Sequence, residues 1–356
     1  MTQDIFTVIF FFLSGLVLVR ASYALLAFFL SLAWLKRRRD FKENSDKSFI
    51  IVIPVLWEQK ILRETVEWFL RLNYPKNKVR IVLVTTEKEF SGNKRSNNVT
   101  DTVRLASDLE REHPSRVFHW HYPHVNGKMV DQVNYAFEKV LKESTTDDDR
   151  NIFLALYNAD SRPHPDTLRW TSVLSDSSGG RVFQQSAIFF ENFRALLGEN
   201  NLFNGKLLQA NAILQTRWTL THEIPRLLRQ SYSLMNLRIR LFLTHCVGHG
   251  LFLRRDLVRK LKCMPTGTLT EDLSFGFTLS LLGEPVQALP VLESAETPQS
   301  IGSALRQKYV WFFGPMDHLA YAHFFLNTHS DKAPRWLVGW FVAQGLIPAL
   351  AWLVAG

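Results

Sequence analysis

The sequence predicts an α/β fold with a mostly parallel sheet, because short apolar segments alternate with helix-forming segments through the middle of the chain. Four runs rich in branched aliphatic and aromatic residues have the length of buried strands: 48–55, 79–84, 117–122 and 152–157. The segments between them carry apolar residues at helical spacing, at 60–72, 100–112 and 129–141. Strands joined by helices in this way pair in parallel, with helices on both faces of the sheet.

The composition indicates a membrane protein rather than a nucleic-acid-binding protein. The 356 residues carry a net charge of +9, and 46% of them are apolar and 13% aromatic. The apolar residues gather at both ends of the chain, whereas the basic residues form no ladder with aromatic residues of the kind that single-stranded nucleic acid needs. We therefore expect no nucleic-acid partner.

The first 40 residues are predicted to contain a transmembrane segment. Between residues 5 and 35 the only charged side chain is Arg20, and this run exceeds the roughly 20 residues that cross a bilayer. Asp4 and the length of the run argue against a secretory signal peptide, which begins with basic residues. One long helix and two short ones on either side of Arg20 both fit this pattern.

Basic residues directly after this run predict its orientation. By the positive-inside rule they place the following domain in the cytoplasm, at the inner face of the cell membrane. They are also expected to contact anionic lipids: Lys36, Arg37, Arg38 and Arg39. Cys246 and Cys263 match no CxxC pattern, which favours a reducing compartment, with a single disulfide as the alternative.

The C-terminal residues 334–356 repeat the apolar pattern and predict a second transmembrane helix. Residues 336–354 carry no charge, and Trp340 and Trp352 have rings that anchor spans at the membrane interface. Just before it, residues 301–330 mix aromatic with charged side chains. That pattern fits a helix lying in the membrane interface or an ordinary amphipathic helix packed on the domain. Any further span would belong to a membrane protein partner.

Asp160 stands at the tip of the fourth predicted strand. The strand ends in Asn158, Ala159 and Asp160, before prolines close the extended segment. Ligand sites of α/β sheets lie at the carboxyl ends of strands, where a carboxylate can bind a hard cation. The alternative is a carboxylate that caps the turn before a helix near Asp166.

Beyond the fourth strand the alternation loosens, with strands predicted at 182–189 and 247–253 and a long arginine-rich helical stretch between them. Thr270 is then expected to cap a helix that has Glu271 and Asp272 in its first turn. Negative charge in the first turn stabilises a helix, which would explain both carboxylates without a catalytic role.

In this order, these elements resemble a membrane-anchored family 2 glycosyltransferase with the GT-A fold, distantly similar to cellulose and hyaluronan synthases. The resemblance spans residues 49–311 and rests on five elements: Ile53 to Glu58, Gly127-Lys128 with Gln132 and Asn134, Asn158-Ala159-Asp160, Thr270-Glu271-Asp272, and Gln307 with Trp311. It implies that residues 48–300 form a cytoplasmic GT-A domain that binds a nucleotide-sugar donor.

The resemblance implies a role for each carboxylate. Asp160 would bind Mg²⁺ or Mn²⁺ together with the diphosphate of the donor. Asp272 would be the general base that draws a proton from the acceptor hydroxyl, with inversion at the anomeric carbon. Glu271 would lie beside it, and like charge or burial would raise the pKa of the pair.

Five further positions would line the site if the resemblance holds. Glu58 and Lys128 would line the nucleotide pocket, although each also fits a solvated surface charge. Gln307 and Trp311 share one helical face beside the acceptor, where an indole can stack on a sugar ring; core packing is the alternative for Trp311. His249 would lie near the acceptor channel or be a hydrogen-bonded core histidine.

Three positions depart from the family pattern. Glu87 ends a stretch that stands where an Asp-Asp pair usually contacts the base and ribose, so Glu87 or a threonine hydroxyl would replace that pair. Asn158 replaces the first Asp of the usual Asp-x-Asp, and Val310 replaces the Arg of an Arg-Trp pair used by processive synthases. We therefore expect transfer of one or a few sugars to a lipid-linked or polysaccharide acceptor, with a lipid phosphate, as in dolichyl-phosphate mannose synthase, as a further option.

The alternative function is a catalytically silent membrane scaffold, a subunit of a polysaccharide or glycolipid assembly complex. The altered nucleotide positions favour it, whereas the presence of both Asp160 and Asp272 argues against it. A zinc site at His119, His121 and His124 is rejected, because no cysteine or carboxylate lies close to them in sequence.

Overall fold

The structure, a computed structural model, describes residues 2–36, 46–91, 101–143, 149–198, 201–231, 241–244, 246–329 and 332–355. The helices, numbered in chain order, are α1 (Thr2–Leu35), α2 (Leu62–Leu70), α3 (Thr102–Glu112), α4 (Met129–Lys142), α5 (Thr167–Ser178), α6 (Ala195–Gly198), α7 (Leu202–Trp218), α8 (Ile224–Ser231), α9 (Arg255–Leu261), α10 (Glu271–Leu281), α11 (Ile301–Met316), α12 (His318–His329) and α13 (Arg335–Ala355). The strands are β1 (Ser48–Pro54), β2 (Val79–Thr86), β3 (Val117–Tyr122), β4 (Ile152–Leu156), β5 (Arg162–Pro163), β6 (Val182–Gln184), β7 (Ala187–Ile188), β8 (Leu251–Arg254), β9 (Val286–Ala288) and β10 (Glu293–Ser294).

The central sheet has the strand order β3-β2-β1-β4-β8-β6-β9. β8 runs antiparallel to both of its neighbours, and the other pairs are parallel. Along β1, Ile50 and Val52 enter the core on one face while Ile51 and Ile53 enter the core on the other. A strand that is apolar on both faces requires helices on both, and the predicted α/β fold with a mostly parallel sheet is confirmed.

A buried glutamine fixes the carboxyl ends of β1 and β2. The side-chain amide of Gln132, on α4, donates to the backbone oxygen of Val55 at 3.2 Å and to that of Val84 at 2.6 Å. Gln132 therefore holds two strand ends at the sheet edge where ligands bind in α/β proteins.

The run predicted as one strand at 182–189 is divided between two sheets. β6 belongs to the central sheet, whereas β7 belongs to a three-stranded sheet of order β5-β10-β7. Gln185, between them, is fully buried and bonded at both ends of its amide: it donates to Thr167 Oγ1 at 2.8 Å and accepts from Tyr157 Oη at 2.5 Å. These polar contacts replace the hydrogen bonds of a continuous strand, and the polar residues Gln184, Gln185 and Ser186 mark the break within the run.

The second strand predicted late in the chain begins at Leu251 rather than at 247, because Gly250 bends the backbone. Its φ is +63°, and its carbonyl oxygen accepts from the Gln185 N–H at 2.7 Å. A Cβ at this position would lie 2.7 Å from the Gln185 carbonyl oxygen. Position 250 therefore requires glycine for its backbone conformation and for its space.

We expect Gly250→Ala to lower the free energy of unfolding by about 2–4 kcal/mol, since strain at positive φ and a backbone clash add together. Gly179→Ala is the matched control: its φ is +65°, but no atom lies within 4 Å of the added Cβ, so about 1 kcal/mol is expected. Guanidinium titrations of the purified chain, followed by tryptophan fluorescence, measure both losses. Equal losses would contradict the clash with Gln185.

The N-terminal apolar run is one continuous helix, α1, that contains Arg20. Within the part of the chain that the structure describes, Phe6–Leu35 is the one helix long and apolar enough to cross a membrane. Its C-terminal half packs on the domain: Ala27 and Ser31 are buried, and Ser31 Oγ donates to the backbone oxygen of Leu220 at 2.7 Å. Of the basic residues that follow, Lys36 is exposed, and Arg37, Arg38 and Arg39 lie outside the described residues.

The C-terminal helices pack on one another and on α10. Residues 301–330 contain two helices, α11 and α12, which meet at Asp317, two residues after Pro315. In α13, Leu337, Val338 and Phe341 are buried against α10 and α12. The C-terminal transmembrane span stays a prediction. Both cysteines are free, with Cys246 buried and Cys263 exposed.

Candidate active site

The turn that carries Asp160 directly follows β4, and side chains of α2 and β5 hold its backbone in place. Thr65 Oγ1 donates to the backbone oxygen of Ala159, and the buried Arg162 donates to Thr65 Oγ1 and to the backbone oxygen of Ser161, both at 3.0 Å. These bonds fix the backbone on either side of Asp160. The backbone that carries this carboxylate is thereby fixed by its neighbours.

Asp160 faces two glutamates. Burial raises the pKa of Glu58 and of Glu296, and in each case the charge of Asp160 is the next cause. Burial likewise raises the pKa of Asp160; His249 opposes this shift and Glu293 adds to it. The negative charge of Asp160 thus makes ionisation of both glutamates less favourable.

These carboxylates fit an oxygen-ligated divalent cation, because a positive charge at Asp160 would relieve their repulsion. Among the described residues, however, no three His, Cys, Asp or Glu side chains form a ready-made metal site. Asp160 therefore fits a cation that takes most of its ligands from substrate phosphate and water, as Mg²⁺ and Mn²⁺ do at phosphate sites.

His249 is largely buried, with 14% of its side chain exposed, and is paired with Glu293. Nδ1 lies 3.1 Å from Glu293 Oε1, and the Glu293 side chain is 1% exposed. Burial alone would lower the pKa of His249, but Glu293, Asp160 and Glu223 raise it to about 9. The imidazole is therefore protonated at neutral pH beside Asp160. It is a charged core histidine, and its predicted place near an acceptor channel stays a prediction.

Asp272 lies in the first turn of α10, next to the segment that carries His249. Its carboxylate accepts from the Leu273 N–H at 2.8 Å and from the Gly248 N–H. Burial and then the charge of Glu271 raise its pKa to about 6, although both backbone donors and His249 oppose the shift. A carboxylate with this pKa is largely ionised at pH 7 and accepts a proton more readily than an ordinary aspartate.

Thr270 occupies the N-cap position of α10, as predicted, but its side chain makes no capping hydrogen bond. Its hydroxyl lies 2.5 Å from Tyr321 Oη, which donates to the Gly314 backbone oxygen at 2.6 Å. Because the single phenolic proton goes to Gly314, the Thr270 hydroxyl donates to Tyr321. The residue before the two carboxylates thus ties α10 to α11 and α12.

Lys128 lies close to Glu271. Burial raises the pKa of Glu271, and the charge of Lys128 opposes that shift while Asp131 adds to it. Lys128 occupies the position before α4, where its backbone N–H donates to Asp131 Oδ2 at 2.7 Å. The charge of Lys128 thus acts at the start of α10, beside Glu271. Its contact with a nucleotide stays a prediction.

Gln307 and Trp311 share a face of α11 but have different neighbours. The oxygen of the Gln307 amide accepts from Gln215 Nε2 at 2.6 Å, which joins α11 to α7. The Trp311 ring packs edge-on against Phe189, with Lys308 Nζ 4.2 Å from its centroid. Trp311 is still 42% exposed, so its ring is not a core residue.

Glu87 pairs with a histidine of β3. Its carboxylate pairs with His121 Nε2 at 2.9 Å, and His121 in turn contacts Thr85 Oγ1 at 2.9 Å. The neighbouring Glu89 lies near Glu58 instead, and accepts from Thr102 Oγ1 at 2.7 Å. The predicted nucleotide contact of Glu87 is untested by this arrangement.

Two glutamates from a distant part of the chain, Glu293 and Glu296, interact with the charge of Asp160 and were not identified from the sequence. Glu293 lies in a two-residue strand and Glu296 in the segment after it, and neither belongs to a motif. The only sequence signal was the presence of acidic residues in otherwise apolar stretches. Their convergence depends on the small β5-β10-β7 sheet, whose two-residue strands carry no periodic pattern.

Comparison with known proteins gives a family and a fold. A family model described as "Glycosyltransferase like family 2" matches residues 47–314. No curated protein matches the sequence. Among solved structures, the chain is similar to the mannosyltransferase PcManGT from Pyrobaculum calidifontis in complex with GDP-Man and Mn²⁺, at 16% identity and a TM-score of 0.52 over 96% of this chain and 86% of that one. It is also similar to TarS 1–349 from S. aureus, at 14% identity and a TM-score of 0.49 over 84% of this chain and 70% of that one.

Proposed function

Because the chain belongs to glycosyltransferase family 2, we propose that it is an inverting, metal-dependent enzyme that moves a sugar from a nucleotide-sugar donor to a lipid-linked or polysaccharide acceptor. The observation that carries the proposal is the placing of two aspartates near one buried histidine. The charge of His249 acts on both Asp160 and Asp272, although more than one hundred residues separate them in sequence.

In this proposal Asp160 holds the donor. A bound Mg²⁺ or Mn²⁺ would neutralise the charge that develops on the diphosphate leaving group. Asp160 would hold that cation, with Glu58 and Glu296 adding negative potential around it. Arg162 and Thr65 keep the turn in place while the donor binds. The protonated His249 balances part of the acidic charge.

Asp272 takes the proton. Its raised pKa makes it a better acceptor than an ordinary aspartate, and the Gly248 and Leu273 N–H groups keep the carboxylate oriented. The acceptor oxygen forms a bond to the anomeric carbon from the face opposite the diphosphate, whose C–O bond breaks. Glu271 acts through Asp272, because its charge helps to raise the pKa of the base.

The proposed location is the inner face of the cell membrane, with the catalytic domain in the cytoplasm. The length and hydropathy of α1 support an anchor, and the exposed Trp311 supports an acceptor that presents a sugar ring or an apolar chain. PcManGT was solved with GDP-Man and Mn²⁺, which supports a nucleotide-sugar donor and a divalent cation here.

The proposal is tested with the detergent-purified full chain and a panel of UDP-, GDP- and TDP-sugars. We expect release of one nucleotide that requires Mn²⁺ or Mg²⁺ and rises on addition of a membrane lipid extract. The release should be lost in Asp160→Asn. The matched control is Asp176→Asn, which makes the same change at an exposed carboxylate on α5 and should leave the rate unchanged. A chain that binds no donor, and stays silent with lipid extract, would instead fit the membrane scaffold.

A further inference from the structure

A group of positively charged side chains lies where α1 meets the helical stretch of α7, the π-helical segment Thr219–Glu223 and α8. Burial and then the charges of Arg226, Arg217, Arg20 and Arg229 lower the pKa of His222 to about 4. His222 is therefore neutral at pH 7, and the charges of four guanidinium groups from α1, α7 and α8 act on it. We call these four residues the arginine cluster.

Arg20 lies on the face of α1 that packs against the domain. Tyr23, Ala27 and Ser31 follow it at three- and four-residue spacing, which places all four on one helical face. Ala27 is 4% exposed and Ser31 is fully buried against the π-helical segment. The single charge of the apolar helix is exposed, but it lies on the face of α1 that meets the domain, and it acts on His222 together with the other arginines.

The arginine cluster has little negative charge to balance it. From residue 200 to residue 255 the sequence holds one acidic residue, Glu223, which is buried and also faces His249. Within the described ranges, Arg20, Arg217 and Arg229 form no ion pair with a carboxylate. Glu223 acts on Arg226, but one carboxylate balances only part of the charge of four guanidinium groups, so the cluster is expected to attract an anion.

The surroundings of the arginine cluster are apolar. Trp218 stacks on His222, with 4.2 Å between ring centroids, and is 37% exposed. On the same helix Ile213 and Leu214 are more than half exposed, and the N-terminal part of α1 is exposed and apolar. A ligand that suits both features carries an anionic group and a hydrocarbon chain.

We propose that the arginine cluster binds a phosphate group borne by a membrane lipid. Guanidinium groups form paired hydrogen bonds with phosphate oxygens, and they keep their charge next to apolar surface. The inference rests on the proposed function for the membrane location, and it extends that function. The charges of Arg226 and His249 both act on Glu223, and that of His249 also acts on Asp160, so a phosphate held here would lie on the side of the domain that carries the proposed active site.

The test is a binding titration of the full chain in neutral detergent. The probes are dioctanoyl phosphatidic acid, dioctanoyl phosphatidylcholine, whose phosphate charge is balanced by choline, and inorganic phosphate. We expect saturable binding of phosphatidic acid, at least about tenfold tighter than that of the other two probes, as one or more charged hydrogen bonds imply. The double variant Arg217→Gln/Arg229→Gln should lose at least about tenfold in affinity for it.

Both substituted arginines are exposed, so the double variant should fold, as its melting temperature will report. Arg104→Gln is the matched control, because it removes an exposed guanidinium far from the arginine cluster. Arg104 lies on α3, which packs beside the edge strand β3, whereas α8 packs beside β9 at the other edge of the sheet. Equal binding of phosphatidic acid by the native chain and the double variant would overturn the proposal. Equally tight binding of inorganic phosphate would show that the cluster binds phosphate without recognising a lipid. Nucleotide release measured on the same samples separates either failure from a failure of the glycosyltransferase assignment.

Discussion

Asp272→Asn is expected to lower the rate of sugar transfer by about 10²–10⁴-fold, the range that a positioned general base contributes. The amide keeps the shape of the carboxylate, and its oxygen can still accept from the Gly248 and Leu273 N–H groups. It cannot take up the proton of the acceptor hydroxyl. Donor affinity should therefore be retained, which equilibrium binding of the nucleotide sugar will measure beside single-turnover transfer.

The pH profile distinguishes a base from a residue that only supports the fold. Since burial and Glu271 raise the pKa of Asp272 to about 6, the base is protonated below that pH. We expect kcat/KM of the native enzyme to fall about tenfold per pH unit below pH 6. Glu271→Gln removes one cause of the raised pKa, so its acidic limb should move to lower pH while transfer continues.

An Asp272→Asn variant with near-native turnover would show that another group takes the proton. An acidic limb that is unchanged in Glu271→Gln would show that the limb reports a different carboxylate. Both variants keep the size of the replaced side chain. Far-UV circular dichroism is therefore expected to match the native protein and to exclude loss of α10 as the cause of any change.

The central sheet was predictable because its strands are apolar on both faces. Five consecutive residues of the seven in β1 are apolar, and burial of both faces needs no information beyond composition and length. The helices α3 and α4 follow the same reasoning, since their apolar residues recur at helical spacing. Their ends shifted by only one or two residues from the prediction.

The small sheet was not predictable for a physical reason. β5, β7 and β10 have two residues each, and they form because Glu293 and its neighbours meet backbone groups from distant segments. Such pairing depends on tertiary placement rather than on local propensity. The same limit explains the site: the motifs located Asp160 and Asp272, but the pairing of His249 with Glu293 and the support by Arg162 arise only when the chain folds.

Long-range contacts also decide what the family motifs do here. Gln132 and Gln307, both parts of the family resemblance, use their amides to join strands and helices. Glu87, which stands where the family usually has acidic residues, pairs with His121. A motif residue can therefore keep its position in the sequence while its side chain stabilises the fold. The proposed chemistry accordingly depends mainly on Asp160 and Asp272.

Asp160→Asn is expected to abolish metal-dependent nucleotide release, with a loss of about 10³-fold at a fixed Mn²⁺ concentration. Removal of the ligand charge forfeits several kcal/mol of stabilisation of the leaving diphosphate, and each 1.36 kcal/mol corresponds to a factor of ten in rate. Because Asn158 replaces the first Asp of the family's usual Asp-x-Asp, no neighbouring carboxylate in that motif can replace Asp160. The rate should be measured across a Mn²⁺ titration.

The matched control is Asp166→Asn, which makes the same chemical change six residues later. Asp166 accepts from Asn73 Nδ2 at 3.0 Å and lies 3.5 Å from Arg169, so its role is to join loops. We expect this variant to lose some stability and to keep its response to Mn²⁺. If Asp160→Asn and Asp166→Asn showed the same Mn²⁺ dependence, the cation would be bound elsewhere. A residual rate in Asp160→Asn that recovers at high Mn²⁺ would show that the remaining carboxylates, Glu58 and Glu296, still attract the ion to the site.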